Sequence, residues 1–201
     1  MKNYLFKLGG KAKKASIEIV KSKKKDNVLR DYCNLILKNH LKIISENKKD
    51  LEKAKKQKLK ENLIKRLSID KEKLLQIINS IKMIIKLKDP VNITLNKWKR
   101  PNGLKIKKVT TSIGVIAVIY ESRPNVTSDV ASLCFKSGNP VILKGGSEAY
   151  HSNKFFVSLF RKALRKNKVN ENYVQFIENK NRKVVDFLLT KMTNYIDVII
   201  P

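Results

Sequence analysis

The sequence predicts an α/β protein in which amino-terminal amphipathic helices and a β-hairpin precede a doubly wound parallel sheet. From Lys11 to Leu87 apolar residues recur three and four apart, the period of helices with one buried face. After Ser112 strand-length apolar runs alternate four times with helical patterns. Between these regions an Asn102-Gly103 step separates two extended runs, a strong hairpin signal. The expected division is 1-112 for the helices and hairpin, packing on the second part, and 113-201 for an incomplete α/β domain.

In the first part Val28, Leu29, Tyr32, Cys33, Ile36, Leu37, Leu41 and Ile44 share helical spacing. Ser45-Glu46-Asn47 reads as a polar insert separating two helices, and Ser68-Ile69-Asp70 as an N-cap before the helix of Leu74, Ile77, Ile78, Ile81, Ile84 and Ile85. Asp89-Pro90 ends the series. The lysine-rich stretch from Lys48 to Lys60 is read as a solvated helix face in preference to a binding arm. The hairpin runs are Val91 to Lys99 and Leu104 to Thr110, with Trp98 expected to pack against a neighbour. Ile113 to Tyr120 then suits a strand buried on both faces. A helix from Pro124 to Lys136, a strand Pro140 to Leu143, a helix from about Ser147 to Arg165, a strand near Tyr173 to Ile177, a helix around Asn181 to Thr190 and a strand Ile196 to Ile200 complete the chain. This order implies right-handed crossovers and a ligand site outside the carboxyl ends of the strands.

Composition limits the function classes. With 201 residues, 42% of them hydrophobic, the chain is large enough for a globular core. The 45 Lys+Arg against 17 Asp+Glu give a formal charge of +28, which raises a nucleic-acid hypothesis. The charge is spread over tolerant positions in the manner of an AT-rich genome, and only 7% of residues are aromatic. Nucleic acid is therefore disfavoured as a partner. No stretch reaches transmembrane length and the start lacks the long apolar region of a signal peptide, so no membrane association and a cytoplasmic location are expected. Cys33 and Cys134 have no companion at metal or redox spacing and read as buried thiols, and no metal is expected.

Two loops leave the carboxyl ends of strands. Tyr120-Glu121-Ser122-Arg123-Pro124-Asn125-Val126 brings a carboxylate, a hydroxyl, a guanidinium and an amide to a helix start with Pro124 at its first position, where an anion can dock. The alternative is a capped loop in which Glu121 and Arg123 pair with each other. Lys144-Gly145-Gly146-Ser147-Glu148 offers paired glycines for close backbone approach, Ser147 as a helix cap and Lys144 as a cation suited to phosphate. It is neither a GxGxxG fingerprint nor a P-loop, and by composition it can be a simple turn.

Taken together, Ile119-Tyr120-Glu121-Ser122-Arg123-Pro124-Asn125-Val126-Thr127, Leu133-Cys134-Phe135-Lys136-Ser137-Gly138-Asn139, Leu143-Lys144-Gly145-Gly146-Ser147-Glu148-Ala149 and Ser152-Asn153, in this order, resemble the gamma-glutamyl phosphate reductases of the aldehyde dehydrogenase superfamily. Asp89-Pro90, Arg100-Pro101-Asn102-Gly103-Leu104 and Asp197-Val198-Ile199-Ile200-Pro201 extend the likeness, and before Asp89 it rests on periodicity with Asn47 and Asp50. The resemblance implies a truncated Rossmann-like sheet of aldehyde dehydrogenase type. It also implies NADPH-dependent reduction of L-glutamyl 5-phosphate to L-glutamate 5-semialdehyde in proline biosynthesis, downstream of glutamate 5-kinase. By the same resemblance Tyr120, Pro124, Lys144, Gly145, Gly146, Ser147 and Glu148 bind NADPH/NADP, Ser122 and Arg123 face the substrate, and Asn125 contacts the developing oxyanion. The family's chemistry uses a cysteine thiolate that attacks the acyl phosphate and is then reduced by hydride. That cysteine is expected beyond Pro201, supplied by a complementary carboxyl-terminal half chain or lost with it. The isolated chain is expected to be inactive. A non-catalytic remnant that keeps the cofactor fold is the alternative reading, with a basic nucleic-acid-binding protein behind it.

Overall fold

The computed structural model describes residues 1–201. The helical periodicity folds as five helices: α1 (Lys2–Ser16), α2 (Ser22–Lys38), α3 (His40–Lys56), α4 (Glu61–Leu67) and α5 (Lys71–Lys86). Asp70 caps α5, its carboxylate accepting from the Lys73 N–H at 2.7 Å, as Ser68-Ile69-Asp70 predicts.

Two expectations for this region are corrected. Helix begins at Lys2, well before Lys11, and runs through Gly9-Gly10 because Gly9 serves packing: a Cβ there would sit 2.6 Å from the Met192 methyl and 2.8 Å from Tyr195 Cβ. Ser45-Glu46-Asn47 is no separator, since it lies inside α3, and the chain turns instead at Asn39, whose amide donates to Leu35 O at 2.7 Å. Asn47 is buried mid-helix because it serves distant backbone: Nδ2 donates to Leu67 O at 2.9 Å and to Ser152 Oγ at 3.0 Å, and Oδ1 accepts from the Ile69 N–H at 2.8 Å.

The hairpin forms from β1 (Thr94–Lys99) and β2 (Lys105–Val109), antiparallel, with Trp98 opposite Ile106. Its residues are exposed on both faces, apart from half-buried Ile106, and Trp98, expected to pack, stays 43% exposed. At its base Lys25, fully buried on α2, pairs with Asp89 at 2.9 Å and donates to Lys136 O at 3.2 Å, holding the hairpin's root to the helices.

The apolar runs after Ser112 become four parallel strands, β3 (Ile116–Tyr120), β4 (Val141–Gly145), β5 (Val174–Phe176) and β6 (Val198–Ile200), joined through α6 (Pro124–Lys136), α7 (Tyr150–Lys166) and α8 (Lys183–Lys191). Strand order is β5-β4-β3-β6, so the winding reverses at β3. Alternation along the strands divides the core. Ile116, Val118, Val141, Leu143, Val174 and Phe176 join α6, α7, α2 and α5 on one face. Val115, Ala117 and Ile142 join Leu5, Leu8 and Ala12 of α1 and Val184, Phe187 and Leu188 of α8 on the other. Residues on both sides of Ser112 thus share each core.

Candidate active site

The β3–β4 register sets Tyr120 opposite Gly145, so both loops leave the carboxyl end of the sheet side by side, the Tyr120 loop at β3, where the strand order reverses toward β6, and the Lys144 loop one strand away. In doubly wound sheets that is where ligands bind. A cleft of about 530 Å³ opens there, and its wall includes Tyr120, Ser122, Lys144, Gly146, Ser147 and Glu148. Leu59 and Leu63, from the α3–α4 region, line it too. Lys180 and Arg182, from the segment after β5, add two cations that the motif reading missed because they lie outside both loops.

Lys144 is 8% exposed, and its Nζ makes one hydrogen bond, to Gly145 O at 3.2 Å, with no carboxylate as partner. Burial lowers its affinity for the proton, against the attraction of Glu148. Glu148 is fixed by hydroxyls: Ser122 Oγ donates to Oε2 and Ser147 Oγ to Oε1, both at 3.1 Å. Burial alone would raise its carboxyl, but its own backbone N–H, Ser122, Ser147 and nearby Lys53 hold it below the usual range. Ser147 is therefore not the cap of α7 that the sequence suggests. The first N–H groups of α7 are taken by buried Asp50 of α3, which accepts from the His151 N–H at 3.0 Å and from the Ser152 N–H and hydroxyl at 2.8 and 2.7 Å.

Gly145 has no room for a side chain: a Cβ would overlap Asn153 Nδ2 and lie 3.1 Å from the Tyr120 ring. Tyr120 is held by a 2.7 Å hydrogen bond to Thr127 Oγ1, which donates to Asn153 Oδ1 at 2.8 Å. Burial pushes the Tyr120 phenol up, so it stays neutral and packs the floor of the loop.

The remaining residues stand around the start of α6. Pro124 is its first helical residue, as predicted, and is buried. Arg123 is exposed, its N–H donating to Glu121 O at 2.8 Å, and its guanidinium makes no ion pair with Glu121. Asn125 does not line the Lys144 cleft; it lines a second one, of about 310 Å³, with Pro124, Ser80 and Asp129. The predicted residues thus fall into two groups flanking the N-terminus of α6. Both cysteines are free and buried, and burial lifts the thiol of Cys33 to about 11 and that of Cys134 to about 12. No helix is long and apolar enough to cross a membrane.

No family model matches the chain. Curated relatives do: the gamma-glutamyl phosphate reductase of Alkaliphilus oremlandii is 43% identical over 201 residues, 99% of this chain and 48% of that protein. That of Sulfurihydrogenibium sp. is 42% identical over 202 residues, 100% of this chain and 45% of that protein. Among solved structures, gamma-glutamyl phosphate reductase from Thermotoga maritima superposes with a TM-score of 0.94 at 35% identity, over 98% of this chain and 48% of that one. Along its whole length the chain is homologous to gamma-glutamyl phosphate reductase. It spans about half the length of these relatives, as expected for the amino-terminal half of such a reductase. A probable aldehyde dehydrogenase from Listeria monocytogenes shares the fold, with a TM-score of 0.73 at 15% identity over 98% of this chain and 41% of that one. The sheet is thus of the aldehyde dehydrogenase type shared by gamma-glutamyl phosphate reductases.

Proposed function

We propose that the chain is the dinucleotide-binding half of an enzyme that reduces L-glutamyl 5-phosphate to L-glutamate 5-semialdehyde with NADPH, releasing phosphate, in proline biosynthesis. The observation that carries this reading is Lys144, a nearly buried cation with no acidic partner, at the carboxyl end of β4, one strand from the switch point of a sheet homologous to gamma-glutamyl phosphate reductase. Its charge suits a phosphate of NADPH, and Gly145 and Gly146 keep the loop backbone free of side chains. Glu148, oriented by Ser122 and Ser147, is placed to accept from a ribose hydroxyl. Tyr120, in the wall of the same cleft, fixes the opposite loop through Thr127, and Pro124 starts α6 behind it.

When bound, the dinucleotide supplies the hydride. On the substrate side the Asn125 amide is placed to donate to the oxyanion that develops at the reacting carbonyl. The exposed, unpaired guanidinium of Arg123 suits the leaving phosphate, whereas the Ser122 hydroxyl, expected to face the substrate, is committed to Glu148 on the cofactor side. Cys33 and Cys134 lie in helices with raised thiols and do not serve as nucleophile. The nucleophilic cysteine then belongs to the part of the relatives this chain does not span, contributed by the same polypeptide or by a complementary chain. Glutamate 5-kinase chemistry supplies the substrate, and the cytoplasm, which keeps thiols reduced, is the compartment.

The test is NADP-linked oxidation of glutamate 5-semialdehyde in the presence of phosphate, with the chain and the polypeptide that carries the remaining half combined. Turnover that needs both parts and is abolished by Lys144→Ala supports the reading. No turnover with both parts folded and present sinks it and leaves a non-catalytic remnant of the fold.

A further inference from the structure

Asn125 faces a cleft other than the one that holds Lys144. If Asn125 meets the reacting carbonyl, the rest of the substrate extends into Asn125's own cleft. At about 310 Å³ that cleft lies at the lower end of the sizes that hold small molecules. Its charges are arranged in an uncommon way. Lys73 directs Nζ at two backbone carbonyls, Lys65 O and Ser68 O, both at 2.7 Å, and has no carboxylate to neutralise it. Arg66, exposed at the end of α4, makes no side-chain hydrogen bond or ion pair. Asp129, on α6, accepts from Ser80 Oγ at 2.8 Å and has no cation within ion-pair distance. Burial raises its carboxyl, opposed by the hydrogen bonds of Ser80 and Asn125, so an ammonium would relieve a charge that the fold leaves poorly solvated. Two cations and one carboxylate therefore share a cleft, and none of them forms an ion pair.

We infer that this cleft binds the amino-acid end of the substrate, Asp129 taking the α-ammonium and Arg66 with Lys73 the α-carboxylate. This rests on the reading above and deepens it. L-Glutamyl 5-phosphate carries both charges at one end and its acyl phosphate at the other, so holding the zwitterion here sets the carbonyl beside Asn125 and the phosphate toward Arg123. Guanidinium and carboxylate form the paired hydrogen bonds that give such a site orientation as well as affinity. A purely structural account, in which Ser80 and Asp129 only fasten α5 to α6, predicts no such selectivity.

Titration calorimetry of the full chain with L-glutamate, glutarate and 4-aminobutyrate separates the two accounts, the glutamate side-chain carboxylate standing in for the acyl phosphate. Glutarate lacks the α-ammonium and 4-aminobutyrate the α-carboxylate, and both should bind at least tenfold more weakly than L-glutamate. Asp129→Asn, which keeps the Ser80 hydrogen bond, should weaken L-glutamate at least tenfold and leave glutarate unchanged. Arg66→Ala, at an exposed position, should weaken L-glutamate and spare 4-aminobutyrate. Lys144→Ala should leave L-glutamate binding intact and remove NADPH binding. No binding of L-glutamate, or equal effects of Asp129→Asn on L-glutamate and glutarate, overturns the inference while NADPH binding upholds the enzyme reading. The selective pattern without NADPH binding supports the amino-acid site and overturns the dinucleotide reading.

Discussion

A charge held from water without a partner costs stability, and burial lowers the folded-state affinity of Lys144 for its proton. With the folded pKa below the unfolded value of about 10.4, the penalty is present in full at neutral pH, fades as pH rises through the folded pKa, and is gone above the unfolded one. Lys144→Met should therefore raise the melting temperature at pH 7 while abolishing nucleotide binding, and the gain should shrink toward pH 10. Each kcal/mol relieved appears as about 2–4 °C for a chain of this size. A lower melting temperature in the variant would mean that Lys144 stabilises the empty loop and is not held for a ligand. This residue was legible in the sequence because Lys144-Gly145-Gly146-Ser147-Glu148 is contiguous and its glycines are informative. Arg66, Lys73, Ser80 and Asp129 were not. They come from α4, α5 and α6, each looks like an ordinary surface residue of its own helix, and only packing brings them to one cleft.

At the level of elements, strong local periodicity was enough for α6, whose limits Pro124 and Lys136 match the expectation, and for the succession of four strands along the chain, while their order in the sheet comes from the structure. It failed where a polar residue inside a helix serves a distant partner. Asn47 looks like a helix breaker in the sequence because its hydrogen bonds go to residues 20 and more positions away, at Leu67, Ile69 and Ser152. Asp50, one turn on, shows the same logic: its carboxylate is fully buried in α3 and satisfies three donors at the start of α7. Asp50→Ala would strand those donors in the interior, which should cost about 2–4 kcal/mol in denaturant unfolding. Since α7 follows the Lys144 loop directly, nucleotide affinity should fall in parallel. Unchanged stability would mean that water replaces the carboxylate and that α3 does not hold α7.

For the molecule as a whole, two exposed apolar features compete with a large net charge. Within residues 1–201 the outer side of β6 has no partner strand and Val198 and Ile200 are exposed, and the hairpin presents Leu95, Trp98 and Leu104 to solvent. Strand edges of this kind pair with other chains. The formal charge of +28 opposes that by long-range repulsion. Which effect dominates depends on salt, because the screening length falls from about 30 Å at 10 mM to about 8 Å at 150 mM while the apolar contacts are hardly affected. The chain alone should therefore be closest to monomeric in light scattering at 10 mM salt and gain mass as salt is raised to 150 mM. Ile200→Lys should suppress that gain if β6 is the contact, and Trp98→Lys if the hairpin is. A mass that falls with added salt would contradict both, since it would mean that attraction between charges, and not exposed apolar surface, brings the chains together.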